Sequence, residues 1–306
     1  MKTPSIIKIF SLMLLLLFSI KSIAQTDDDE KRPKDYKSRK GFHAGIYVGS
    51  YFANKSTASN YDGYGYDVNG IKNDFANSFM NMRINFDYGG LNGQPDQIAQ
   101  ALNVNHGDWG FDQTDMPIKM KYNPAIVVGI HTMYGFTQKD ALIFNATGTK
   151  LTVNGDFSIT LNTTPVGPTQ PGYQNIKACA ITGGEQRVMF QMGYRRILGD
   201  DDLFNFFIEG GAELTMAKLI RNQITINNLQ IDLTSYYSYP AYFGFREKHL
   251  SGLGLGAFGG FGLNLTANRK CNIQLVYNPS YEKINIGMDP SRKLQHAIGL
   301  RVYYNI

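Results

Sequence analysis

The last thirteen residues constrain the fold most. From Leu294 to Ile306 the even positions read Leu294, His296, Ile298, Leu300, Val302, Tyr304 and Ile306. The odd positions read Gln295, Ala297, Gly299, Arg301, Tyr303 and Asn305. A period of two, with one greasy parity and one polar or small parity, is a strand with two different faces. Residues 252–266 repeat the contrast, with Leu253, Leu255, Phe261, Leu263 and Leu265 against Gly252, Gly254, Gly256, Gly260, Gly262 and Asn264. Glycine on one parity alone clears space on one face for bulky groups reaching across a narrow interior.

Six further segments alternate in the same way: Gly41–Phe52, Ile118–Phe136, Ala141–Leu151, Glu185–Leu198, Leu203–Lys218 and Cys271–Tyr281. Their connections alternate in length. Thr137–Asp140, Gly199–Asp202 and Ala267–Lys270 are short, whereas 53–117, 152–184, 219–250 and 282–293 are long. Short turns on one side and long loops on the other predict an all-β chain, a transmembrane antiparallel up-and-down β-barrel of eight strands with long extracellular loops. Residues 75–88 also alternate, and as a span they would force a partner and a count of ten. The eight-stranded reading places them as extended structure inside a large first external loop, 53–117, with Gln94–Leu102 helical. A soluble sandwich or lipocalin-type barrel would alternate too, but with the apolar parity packed inward.

Export fits this reading. Lys2 and Lys8 precede an apolar run from Ile9 to Ile20, and Ser22-Ile23-Ala24 ends it with small residues at the two positions a signal peptidase reads. Cleavage near Ala24 would leave a charged flexible leader, 25–40, before the barrel at 41–306. The formal charge of +5 is largely this address: without Lys2, Lys8 and Lys21 the balance is 27 basic against 25 acidic residues, net +2. It gives no reason to expect nucleic acid.

The chain resembles the outer-membrane barrels common in Bacteroidota, especially the small PorT-like barrel family. The resemblance is carried by Tyr122-Asn123-Pro124-Ala125 with Gly129, by Phe207-Ile208-Glu209-Gly210-Gly211-Ala212-Glu213, and by Ile298-Gly299-Leu300-Arg301-Val302-Tyr303-Tyr304. It implies a small eight-stranded outer-membrane barrel. Some relatives serve type IX secretion and gliding, so such a role is among those the resemblance allows.

An eight-stranded barrel is just wide enough for its own side chains. The inward parity therefore predicts a structural charge network of Arg187, Arg195, Glu209, Glu213, Arg301, His131 and Lys121, joined by Lys119, His43, Tyr47 and Asn205. A tight turn at 199–202 would pair positions summing to about 401. Arg187 would then lie near Glu213, and Arg195 near Asn205, with Glu209 one diagonal step away. Arginine suits this role because its planar fork matches a carboxylate and stays charged when desolvated.

No catalytic or metal site, and no cofactor, is expected. His106 beside Asp108 and His249 beside Glu247 lack a nearby serine in catalytic spacing, and the glycines at 252–256 run through a strand rather than opening a helix. The loop aromatics Trp109, Tyr236, Tyr237, Tyr239, Tyr242 and Phe243, like Tyr61-Asp62-Gly63-Tyr64-Gly65-Tyr66, form either a candidate binding surface or a lid that packs the loops on one another. Cys179 in an external loop and Cys271 at the periplasmic rim would lie a membrane thickness apart, so both are expected as free thiols. The expected function is a non-enzymatic barrel, an accessory or binding component of the envelope. Its expected partners are outer-membrane lipid and either other envelope proteins or surface glycans. The alternative is an outer-membrane hydrolase of lipid or peptide with a rim active site.

Overall fold

The computed structural model describes residues 39–67, 71–86, 93–162, 175–199, 203–234, 251–267, 271–286 and 292–306. The expected signal peptide and nearly all of the leader lie outside these residues. Eight long strands make the wall: β1 (Gly41–Phe52), β2 (Ala125–Gly135), β3 (Asp140–Leu161), β4 (Asn175–Leu198), β5 (Phe204–Ile226), β6 (Ser251–Thr266), β7 (Cys271–Lys283) and β8 (Arg292–Asn305). Each pairs antiparallel with its neighbours in the chain, and β1 pairs with β8 from His43↔Asn305 to Phe52↔His296. The ring is closed, so the wall itself has no open edge. The eight-stranded count is correct.

Both the first and the last strand have an end at the rim with the short turns, here the turn rim. The turn from Phe136 to Asp140 is held by the Thr137 hydroxyl, which donates to Asp140 Oδ2 at 2.7 Å and accepts from the Asp140 amide at 2.8 Å. The other rim carries the long connections.

The outward parity of the wall is apolar. Ile46, Ile130, Phe144, Met192, Ile208 and Phe261 point out, and Leu253 and Leu255 are 48% and 65% exposed. An inward-packed soluble core is thereby ruled out for these side chains. The inward parity is where the polar side chains collect, from His43 and His131 to Gln274 and Gln295, all buried among apolar neighbours such as Met133, Met189 and Val276.

On three strands the pattern changes part-way along, and on two of them it inverts. In β3 the outward residues Leu142 and Phe144 are apolar, then comes Lys150, then Thr152, Asn154, Asp156, Ser158 and Thr160. Beyond the same point the inward residues become apolar: Leu151, Val153, Phe157 and Ile159 are buried. β5 inverts likewise, with Gln223 and Thr225 outward and Ile224 and Ile226 buried; on β4 only the inner face changes, with Cys179 and Ile181 buried inside while the outward residues stay small or apolar, Ala178, Ala180 and the exposed Ile176. The three strands thus run past the wall as a crown. Its ten residues on β3, 152–161, amount to roughly 30 Å at about 3.3 Å per residue. A short strand, Leu229–Asp232, returns beside β5 through a turn in which Asn227 takes a left-handed backbone (φ 53°). A register shift between Gly184 and Glu185 marks where β4 leaves the wall.

The inner face of the crown is covered by the first long connection. Its elements are a 3-10 turn over Lys55–Tyr61, α1 (Phe79–Asn85) and α2 (Gln94–Leu102). α2 follows the sequence reading. α1 corrects it, because 75–88 was expected to be extended. Ser78 caps α1 by accepting from the Asn81 amide at 3.1 Å, and Met80 and Ile84, one turn apart, are both buried. Met82 and Phe86, which fit the alternation, are exposed. Met80, Ile84, Ile98, Phe111, Phe157 and Ile181 belong to one apolar cluster, which joins the helices to the crown.

The strand limits read from sequence were otherwise too short for β3, β4 and β5 and too long for β2, whose expected start at Ile118 is mostly loop with a two-residue pairing at Lys121–Tyr122.

Candidate functional site

The interior is the candidate site, and it is layered. Near the turn rim Met133, Ile143, Phe258 and Tyr303 form an apolar floor. Above it Glu209 accepts from two arginines at once. Arg195 donates through Nε at 3.0 Å and Nη2 at 2.8 Å to Oε2, and Arg301 donates through Nη1 at 2.9 Å to Oε2 and Nη2 at 2.7 Å to Oε1. Both guanidiniums are about 1% exposed. His131 lies 3.3 Å from Arg195 Nη2 and 2.5 Å from Asn145 Oδ1. Arg195 also stacks over the Phe207 ring at 4.6 Å. The middle layer is an amide and carboxylate cluster in which Gln191 donates to Glu213 at 2.7 Å and to Asn278 at 3.2 Å. In the top layer Arg187 donates to Glu185 at 2.5 Å and to the Tyr51 hydroxyl at 2.9 Å.

Among the described residues three buried arginines therefore face four buried glutamates, counting Glu282. A chamber of about 20 Å³ lies among them, lined by Tyr47, Gln191, Glu213, Asn278 and Arg301 among others. That is room for a water molecule and too little for a solute.

The glycine parity of β6 performs the task expected of it. A Cβ on Gly260 would lie 2.8 Å from Glu209 Cγ, and one on Gly256 would lie 2.5 Å from Glu282 Cβ. Gly260→Val is expected to press Glu209 off its arginines and to cost about 1–3 kcal/mol. A urea titration of the detergent-folded barrel measures this; an unchanged midpoint would show that the wall yields freely there.

Most of the expected charge network is present: Arg187, Arg195, Glu209, Glu213, Arg301 and His131 are all buried inside. The partners differ. β4 and β5 pair on a sum of 404, so that Arg195 sits opposite Glu209, Gln191 opposite Glu213 and Arg187 opposite Ala217. The hairpin is wider than the minimal turn, with Leu198 opposite Phe206. Arg187 consequently takes Glu185 of its own strand. Lys121 and Lys119 are corrections: both are exposed, because the wall strand begins only at Ala125 and these residues lie on the loop before it.

The loop rim is closed by a latch. Glu185 accepts from Arg187, from the Tyr61 hydroxyl at 2.9 Å and from the Tyr122 hydroxyl at 2.8 Å. Tyr61 is fully buried and packs with Ala58, Phe79, Val153 and Leu219. Gly63 and Gly65, at φ 81° and 71°, let the chain turn tightly enough for the Met80 amide to donate to Gly63 O at 2.9 Å. Lys72 pairs with Asp62 in the same segment. Burial raises the Asp62 carboxyl above its ordinary range, and Lys72 opposes that shift.

The described aromatics of 53–117 other than the exposed Phe86 thus pack as a lid. Trp109 is half-buried against the crown, opposite Leu161. Tyr236, Tyr237, Tyr239, Tyr242 and Phe243 lie outside the described residues.

The described histidines are engaged as follows. His106 Nδ1 is 2.7 Å from Asp96, not Asp108, and His296 Nδ1 is 2.6 Å from the Tyr277 hydroxyl. His43 Nε2 is 3.2 Å from the Arg39 carbonyl. Among the described residues no group of three His, Cys, Asp or Glu is placed to hold a metal. Cys179 and Cys271 are free and buried. Cys179 lies on the crown part of β4 opposite Phe157, not in a loop, and Cys271 lies at the turn rim opposite Tyr304. Burial pushes the Cys179 thiol up to about 11, which keeps it protonated and slow to react at neutral pH.

No known protein-family profile and no curated protein matches the sequence. Among solved structures the chain is similar to the outer membrane protein OprG from Pseudomonas aeruginosa, at 9% identity and a TM-score of 0.40, over 89% of this chain and 99% of that one. It is also similar to Ail, the attachment invasion locus protein of Yersinia pestis, at 10% identity and a TM-score of 0.33, over 86% of this chain and 99% of that one. These values are too low to carry an argument, and the architecture rests on the strand pairings described above.

Proposed function

We propose that this chain is a non-enzymatic outer-membrane barrel whose sealed wall anchors a crown outside the cell, where it serves as an accessory or binding component of the envelope. One observation carries the reading. Along β3, nine residues separate the outward charges Asp140 and Lys150, and the outward parity between them is apolar or small; along β4 nine separate Arg196 from Gln186. A membrane-crossing strand needs about 9–11 residues. Beyond that span the apolar residues of β3 and β5 change sides, as a chain leaving lipid for water requires. The turn rim is then periplasmic and the crown external. The strand motifs support placing the chain with the Bacteroidota barrels, and within that group a part in secretion or gliding is consistent with a non-conducting barrel.

The test is fractionation followed by reconstitution. The protein is expected in the outer-membrane fraction, with heat-modifiable gel migration and no steady conductance in a planar bilayer. Recovery as a soluble periplasmic protein, or a stable open pore, would overturn the reading. Cross-linking from the crown in whole cells, followed by co-purification, is expected to recover an envelope partner. Hydrolysis of lipid or peptide by the purified barrel would favour the enzymatic alternative.

A further inference from the structure

The hydrogen-bonded rows that cross β3 to β6 hold an arrangement that the anchoring role does not use. Lys150 pairs with Gln186, Gln186 with Lys218, and Lys218 with Ser251. All four side chains point outward and are exposed. The next outward row toward the turn rim is Gly148, Val188, Met216 and Leu253. Cationic and hydroxylic groups therefore stand directly above an apolar strip on the outer wall. A groove of about 520 Å³ runs between them, lined by Gln186, Lys218 and Ser251 on one side and Val188, Met216 and Leu253 on the other. Arg221, in the row beyond, is also exposed, and neither row holds a carboxylate. Among the described residues Lys150, Lys218 and Arg221 make no ion pair.

We propose that this groove is a binding site for a phosphorylated lipid of the outer leaflet, with the phosphate held by Lys218 and Lys150 and an acyl chain lying along Val188, Met216 and Leu253. The inference rests on the outer-membrane reading above. The backbones of Lys150 and Lys218 stand two strand spacings apart, roughly 10 Å, so two flexible ammonium groups can converge on one anion. The charge calls for an anion, and the apolar row beneath it calls for one that carries a hydrocarbon chain. Gln186 and Ser251 add neutral hydrogen-bonding groups on either side of Lys218. A single adjacent row combines both requirements only where headgroup and chain meet.

The test uses the full mature chain folded in detergent, with diphosphoryl lipid A as the probe and native mass spectrometry as the readout. One bound lipid is expected on the wild type. Binding is expected to fall at least tenfold in the Lys150→Gln, Lys218→Gln double variant, and at least tenfold on the wild type when the lipid is dephosphorylated. Inorganic phosphate at the same concentration is expected not to compete. Leu253→Ser reads the acyl side independently and is expected to weaken binding while leaving the phosphate dependence intact. Heat-modifiable migration checks that each variant is folded, which surface substitutions of this kind should preserve. Equal binding by the double variant, equal binding of the dephosphorylated lipid, or displacement by free phosphate would each overturn the proposal. A barrel that fractionates with the outer membrane yet binds lipid regardless of these lysines would defeat this site and leave the anchoring role standing.

Discussion

Glu209→Ala is expected to be the most damaging single substitution in the barrel. One carboxylate receives four hydrogen bonds from two arginines, and all three groups are sealed from water. Removing it strands two guanidiniums side by side without the carboxylate that holds both. Breaking one buried pair costs about 3–5 kcal/mol. Here two are broken together, against a total stability on the order of 5–15 kcal/mol for a folded domain. The variant should lose its heat-modifiable band, or keep it only with a urea midpoint far below that of the wild type. Glu213→Gln is the internal comparison. Glu213 accepts from Gln191 and faces no arginine across the hairpin, so its loss should cost about 1 kcal/mol. Equal midpoints for Glu209→Ala and the wild type would show that the lumen is wet enough to screen bare guanidiniums.

Glu185→Ala is expected to have the second largest effect, at a different place. Arg187 would be left fully buried without its carboxylate, again about 3–5 kcal/mol. Tyr61 and Tyr122 would lose their shared acceptor in the same step. The lid should come loose while the wall below stays paired, so limited proteolysis should cut within 53–117 and leave a heat-modifiable core. Tyr61→Phe removes only a hydroxyl and should give a milder form of this phenotype, about 1.5–3 kcal/mol for a bond to a charged acceptor. Cleavage rates that ranked the two variants the other way round would place the latch elsewhere.

The wall was legible because its two faces obey opposite chemistry over a length that lipid dictates. Arg195, Glu209 and Arg301 could be assigned to the interior by parity alone. Their partners could not, since a hairpin only a few residues wider than minimal shifts every opposite pair, and Arg195 moves from Asn205 to Glu209. Glu185 and Glu282 escaped notice for a simpler reason. Glu185 opens a segment as read from the alternation and Glu282 falls one residue past another, where an apolar neighbour no longer frames either. The crown was invisible because its apolar residues change parity at Leu151, so that a continuing strand resembles one that has stopped. α1 misled in the opposite sense: Met80, Met82 and Ile84 satisfy a period of two and a turn of helix equally well, and only the Ser78 cap separates them.

The inversion at Lys150 also divides one continuous strand between two regimes of substitution. At Leu142 and Phe144 a change to a charged residue meets hydrocarbon, and selection should purge it. At Asn154, Asp156 and Thr160 the same change meets water, and drift should be nearly free so long as Val153, Phe157 and Ile159 behind them keep their bulk. The crown can be rewritten without disturbing the wall that holds it in place, so under the proposed orientation the part of the molecule that strangers encounter first is the part freest to vary.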